Sequence, residues 1–320
     1  MNTFSSHPSS RSPWGLLRSF IELLLASSAV IFIGGLCAPH SAVAADLQAA
    51  DIIDQFIPSK PFSQQPWGVA QCYGQFVPVG RLAETGIHGT TLPLGGTLRF
   101  GKAPDPADPA RTALRMTVLP NDPPTAGAPR CETTFSPGAT GMPQGRVFWH
   151  AFSIHIPDWR KTTDEQQLMQ WHAGDNTNLQ PIYSLLVRGT EMRLIMRYDT
   201  SATPSRNTTV TRVLWATSAW PPNTWITVVT RALVSPNPAA SPMISTWING
   251  AQVVNYRGPV GYNTPSAQPY LKHGLYHWTN LNPWDMTLPQ RTVHFRRAVL
   301  AADPKGLYSP AVLATYVNLP

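Results

Sequence analysis

Charge is what this sequence has least of. Asp, Glu, Lys and Arg make up 13% of its 320 residues, too few for a coiled coil or a long helical bundle. The 17 acidic side chains are scattered, and the neighbouring pair Asp164-Glu165 falls in a segment read as loop. Two carboxylates alternating on one strand, as a β-sandwich glycoside hydrolase would flank its scissile bond, are missing. So are a Gly-x-Ser-x-Gly elbow, a Walker loop, a dinucleotide fingerprint and a His-Glu-x-x-His helix. No apolar run reaches the roughly 20 residues of a membrane-spanning helix. With 3 cysteines and no Cys-x-x-Cys pair, a zinc site is not indicated.

The apolar stretch at residues 23–33 is short and interrupted on both sides, by Glu22 and by Gly34-Gly35. Arg11 and Arg18 precede it, and Ala42-Val43-Ala44 has the small-x-small pattern of a cleavage site. Residues 1–44 therefore read as an export signal rather than an uncleaved anchor, and the mature protein as secreted or periplasmic, without membrane attachment. Cys37 leaves with the signal. In an exported chain the remaining Cys72 and Cys131 are expected to form one disulfide. The formal charge of +7 suits a polyanionic partner.

Against these absences stand 33 Pro, 22 Gly, 11 Trp, 11 Phe and 9 Tyr, with 42% hydrophobic residues. A disordered chain lacks such apolar surface. Residues 45–65 read as a lead-in with a helical turn at 49–56. Beyond it, Pro and Gly punctuate short runs rich in Val, Ile, Thr and aromatics, the pattern of antiparallel strands. Strands are expected at 112–119, Val147–Ile156, 182–188, 191–198, 225–234, 245–248, 251–255, 270–278 and 292–300, with low-complexity loops at 102–109 and 121–129. Asn249-Gly250 is the turn signal of a two-residue hairpin. No repeat of solenoid length occurs. The expectation is an all-β protein, one jelly-roll (concanavalin A-like) sandwich over residues 66–320.

Three segments carry chemistry. In Arg130-Cys131-Glu132, strand alternation puts Arg130 and Glu132 on one face and Cys131 on the other; a salt bridge beside a disulfide is the plain reading. In 167–172 (QLMQWH), Leu168, Gln170 and His172 share one face, while Met169 and Trp171 point into the core. In 270–278 (YLKHGLYHW), Tyr270, Lys272, Gly274, Tyr276 and Trp278 form a stripe with a gap at glycine, a mark of close approach by ligand or backbone. Arg188, Arg193 and Arg197 on the hairpin at 182–198 can line a groove for a polyanion.

In their order, Arg130-x-Glu132, Gln170-x-His172 and Tyr270-x-Lys272-x-Gly274-x-Tyr276 resemble the three motifs of the jelly-roll polysaccharide lyases, a group with alginate lyases, glucuronan lyases and the heparin lyase I type. Alginate enzymes carry Arg-Ser/Thr-Glu-Leu, Gln-Ile/Val-His and Tyr-Phe-Lys-Ala-Gly-x-Tyr-Asn-Gln. Here Thr133 stands in place of the leucine and His277-Trp278 in place of Asn-Gln. The continuation His172-Ala173-Gly174-Asp175, the Val147–Pro157 run ending in Ile-Pro, and Trp247-Ile248-Asn249-Gly250 are similar to the glucuronan and heparin lyase branch. The resemblance spans about residues 130–300.

It implies β-elimination from a uronate polymer: the C5 proton leaves and the C4 oxygen departs, once the neighbouring carboxylate is neutralised. Gln170 and Arg130 suit that neutralisation, the arginine through a bidentate grip. His172 is a candidate base, and Tyr276 a candidate acid at O4 or base at C5. Lys272, Arg188, Arg197 and Glu132 complete the expected substrate-binding set. No redox cofactor or metal is indicated, calcium being left open. The expected partner is an anionic polysaccharide rather than nucleic acid, the expected state a monomer, and the alternative a non-catalytic carbohydrate-binding jelly roll.

Overall fold

A computed structural model of the chain describes residues 46–65, 68–89, 97–135, 141–174, 179–263, 269–278 and 282–320. The expected export signal and Asp175 lie outside the described residues. The strands open with β1 (Ile52–Phe56), β2 (Val69–Cys72), β3 (Gln75–Pro78), β4 (Ile87–His88), β5 (Leu98–Asp105) and β6 (Asp108–Val118). Then come β7 (Arg130–Phe135), β8 (Val147–Ile156), β9 (Glu165–His172), β10 (Tyr183–Arg188), β11 (Glu191–Asp199) and β12 (Val210–Thr217). The last third holds β13 (Thr224–Leu233), β14 (Met243–Ile248), β15 (Ala251–Arg257), β16 (Gly261–Tyr262), β17 (Tyr270–Tyr276) and β18 (Arg291–Ala302), before helix α1 (Pro310–Val317). No helix among the described residues is long and apolar enough to cross a membrane.

The strands form two sheets, the jelly-roll arrangement expected. One runs β15-β14-β13-β8-β18-β6-β5-β4 with β1 beside β18; the other runs β12-β11-β10-β9-β17-β7-β2-β3 with the short β16 parallel to β11. Their facing sides share a core in which Phe148, Phe152 and Ile154 meet Met169, Trp171 and Leu194. The outer side of the first sheet is covered by α1, whose Leu313 and Val317 pack with Trp149 and Val299. Ser309 caps this helix by accepting from Val312 N, and Pro310 occupies its first turn. The Asn249-Gly250 hairpin turns through two positive φ angles, 48° and 83°, as its sequence demands.

Two expectations need correction. The turn at 49–56 is a short 3₁₀ segment, Ala49–Asp51, followed by β1, which pairs with β18 and buries Phe56. The lead-in is thus part of the sandwich, because its alternating apolar side chains reach the core. The proline-rich loop at 102–109 is a hairpin between β5 and β6. Asp105 accepts from Arg296 Nε at 2.8 Å, Trp225 Nε1 at 2.9 Å and Ala107 N at 2.8 Å. Those tertiary bonds hold the turn where composition reads as loop.

A polar chain crosses the core beneath β9 and β17. Trp171 Nε1 donates to His150 Nδ1 at 3.1 Å, and His150 Nε2 lies 2.8 Å from His273 Nε2. Indole is a donor only, so neutral His150 carries its proton on Nε2 and passes a hydrogen bond to His273. Burial pushes His150 down to about 3 and His273 well below the ordinary 6.5. The unfolded chain binds protons at both as pH falls below that value, and the native chain does not. Stability is therefore full above pH 6.5 and declines on acidification, by up to about 1.4 kcal/mol per pH unit for each ring that stays neutral in the fold, which for His150 holds down to about pH 3. Urea midpoints measured between neutral and mildly acid pH should follow this slope. In a His150→Gln variant, whose amide can keep both hydrogen bonds, the slope should be flatter by about one proton.

Candidate active site

The second sheet keeps one face out of the core, and on it the side chains line up in rungs. Arg130, Tyr276, Gln167, Leu186 and Arg193 are successive register partners across β7, β17, β9, β10 and β11. Thr134, Lys272, Gln170, Ser184 and Ile195 form a second rung, and Tyr270 faces His172 in a third. Between the first two rungs β10 advances from Ser184 to Leu186, β9 from Gln170 to Gln167, and β17 from Lys272 to Tyr276. Each strand takes one residue more than its neighbour, so the sheet fans open there. The surplus is absorbed by a bulge at Leu168 and a second irregularity between His273 and Tyr276. Leu168 consequently joins Met169 in the core, and Gln167 turns outward. Strict alternation had placed Leu168 outward.

Within the fan, Gly274 pairs with Glu132 at φ 141°. A Cβ there would lie 2.2 Å from Cys131 O and 2.6 Å from Glu132 Cα, so only glycine lets β17 lie this close to β7. Glu132 is almost fully buried. It accepts from Gln170 Nε2 at 2.6 Å and from Arg130 Nη1 at 3.3 Å, and Lys272 Nζ lies 3.9 Å away. One carboxylate thereby orients residues from three strands. The amide nitrogen of Gln170 must face it, because a carboxylate only accepts.

Arg130, Gln170, His172 and Tyr276 line a single cleft of about 650 Å³, together with Gln167, Glu165, Arg193, Arg197 and Trp278. The Arg130 guanidinium sits over the Tyr276 ring, 4.1 Å from its centroid, a cation–π contact that holds the phenol upright. His172 stacks on Tyr270 at 4.7 Å, and its Nδ1 accepts from Gly174 N at 3.3 Å. His277, beside Trp278, is buried and receives a hydrogen bond from Gln166 at 2.8 Å on Nδ1. Burial holds its pKa below the usual range despite Asp164 at 3.5 Å. It is an anchor for the segment that brings Trp278 to the cleft.

The remaining expected positions divide. Arg197 lines the cleft, donates to Pro181 O at 2.9 Å and has its pKa lowered by burial. Arg193 pairs with Glu165, whose carboxyl is raised by burial although that arginine opposes the shift. Arg188 is outside the lining; its Nε donates to Thr163 O at 2.8 Å, beyond the first rung. Lys272 is also outside it, 3% exposed and donating to Gln71 Oε1 at 3.0 Å. Glu132 is covered in the same way, and neither reaches the cleft surface, because the closeness of β7, β17 and β2 seals them in. The sequence reading missed Gln167, whose outward turn depends on the Leu168 bulge, and Glu165, which alternation counted back from Gln167 would have found.

The expected disulfide joins Cys72 on β2 to Cys131 on β7. Closing a loop with a separation of 59 residues stabilises the fold by about 4 kcal/mol on chain entropy. Among solved structures, the endo-β-1,4-glucuronan lyase from the fungus Trichoderma reesei is similar, with 16% identity over 64% of this chain and 87% of that one, at a TM-score of 0.52. An alginate lyase from Corynebacterium sp. matches with 14% identity over 77% of this chain and 98% of that one, at 0.48. No curated protein matches the chain significantly. The likeness to the glucuronan lyase structure is one of fold, the jelly-roll sandwich. A family model described as polysaccharide lyase matches residues 99–296, more than half of the chain. The protein belongs to that family and is a polysaccharide lyase.

Two substitutions test the architecture of the cleft floor. Glu132→Gln should cost about 3–5 kcal/mol, since it leaves Arg130 and Lys272 buried without their carboxylate; thermal unfolding measures it. Gly274→Ala should lower the melting temperature by at least several degrees, because β17 must move off β7 and a left-handed φ must be kept by an alanine.

Proposed function

We propose that this lyase is exported and cleaves a uronate-containing polysaccharide by β-elimination, without a redox cofactor. The observation that carries the reading is that a guanidinium, an amide, an imidazole and a phenol line one cleft. They come from three strands with no sequence contiguity. Charge supports it too: on the floor, Arg130 and Lys272 face the single carboxylate of Glu132, so the local potential favours an anionic sugar.

In this reading Gln170 and Arg130 receive the uronate carboxylate. Glu132 holds the Gln170 amide by one N–H and leaves the second for substrate. Neutralising the carboxylate lets charge build at C5 during proton removal, and each preorganised donor is worth about 3–4 kcal/mol. The hydrogen bond from Gly174 N to His172 Nδ1 favours the neutral tautomer with its proton on Nε2. His172 then acts as a donor to the substrate, and Tyr276 is the group that takes the C5 proton and returns one to O4. That assignment fits a syn elimination, in which both sites lie on one side of the sugar.

The test is an ultraviolet assay for the unsaturated uronate product, with the mature protein incubated separately with glucuronan, alginate and heparin-type polymers. Cleavage of at least one is expected; absence of product across the panel overturns the reading. Tyr276→Phe should lose about 10²–10⁴ in kcat. His172→Ala should lose about 10²–10³. Retained activity in Tyr276→Phe would remove the phenol from the proton transfer.

A further inference from the structure

Gln167 is a polar cleft residue to which elimination assigns no task. It is 6% exposed, lines the cleft, and its Nε2 has no hydrogen-bond partner among the described residues. An amide donor withdrawn from water without a replacement costs about 1–3 kcal/mol, a cost that an acceptor brought by a ligand offsets. Its position is built rather than incidental, since the Leu168 bulge carries it onto the face of Gln170. There it becomes the register partner of Tyr276 on one side and of Leu186 on the other. One strand further, Arg193 is held by Glu165 and lies 3.8 Å from Glu191, so its charge is already met within the protein. Beside Arg193, whose Nε is also unpartnered but whose guanidinium already meets carboxylates, the Gln167 amide is the uncharged donor next to Tyr276 that a ligand can take up.

We propose that Gln167 is a second amide contact for the substrate, its Nε2 donating to a carboxylate oxygen of the bound polyuronate beside Tyr276. The excess of Arg130 and Lys272 over Glu132 on the floor favours an ionised acceptor over a hydroxyl. The inference rests on the uronate reading of the same cleft, and it adds a specificity contact outside the three sequence motifs. A neutral donor here binds an anion without adding a cation that would compete with Arg130 for Glu132.

The experiment compares Gln167→Leu and Gln167→Glu with the wild type on a polyuronate that the wild type cleaves, with thermal unfolding as the check on folding. Gln167→Leu should lose roughly 10- to 100-fold in kcat/KM, the worth of a hydrogen bond to a charged group. Gln167→Glu should be worse still at mildly alkaline pH, where its carboxylate repels the substrate. Its deficit should shrink as the pH falls and the protonated acid regains a donor, a pH dependence that a purely structural role would not produce. Either variant within about two-fold of wild type, or a Glu variant no worse than the Leu variant at alkaline pH, overturns the proposal and leaves the lyase reading intact. If the wild type cleaves no polyuronate, the side-chain amide resonance of Gln167, identified by its loss in Gln167→Glu, is followed by NMR while a short oligouronate is added. A shift then supports the contact while the elimination reading falls, and an unmoved resonance overturns both.

Discussion

The carboxylate of Glu132 is the interaction on which the cleft depends. It lies nearly dry beneath the surface, where an unpaired charge would be prohibitively costly, and it is met by an amide from β9, a guanidinium from its own strand and an ammonium from β17. Each partner is thereby oriented before any sugar arrives. Preorganisation of this kind is what separates a catalytic surface from a merely basic one, since the donors need no rearrangement when charge develops. The same carboxylate explains why Lys272, the most conspicuous cation of the β17 stripe, faces inward rather than into the cleft.

The layers of the sandwich divide the labour. The first sheet is covered on both sides, by the core and by α1, and serves as a platform. The second has one face in the core and the other on the cleft, and its strands fan apart where Arg130, Gln167 and Tyr276 line that cleft. The fan comes from the Leu168 bulge and the Gly274 approach together: one lengthens β9, the other allows β17 to lengthen without leaving β7. Bulges of this sort commonly re-aim side chains next to active sites. Beneath them the Trp171–His150–His273 chain satisfies polar groups that would otherwise weaken the same two strands.

Much of this was legible from the amino acids. Punctuation by proline and glycine, with Asn249-Gly250 as its clearest case, marked most of the long strands to within a few residues. The three motif segments fall on β7, β9 and β17, which are neighbours in one sheet. Local pattern failed where tertiary bonds decided. Asp105 turned a proline-rich stretch into a hairpin, and pairing with β18 turned an expected helical turn into β1. Period-2 counting could not foresee the Leu168 bulge, so Gln167 was counted inward and Leu168 outward. Composition along β17 announced a cation but not its burial, because the distance to Glu132 and Gln71 is a property of three strands at once.

The disulfide has a reach beyond its own bond. Cys72 and Cys131 are cross-strand partners, and the next pair along the same two strands is Gln71 with Glu132. Gln71 receives Lys272, and Glu132 holds Gln170, so the covalent tie lies one rung from the group that aims the cleft. A thiol reductant would thus act on this enzyme from below, slackening the seat of Glu132 without competing for the sugar. The set of the cleft floor would then track the redox state of the compartment in which the chain finds itself.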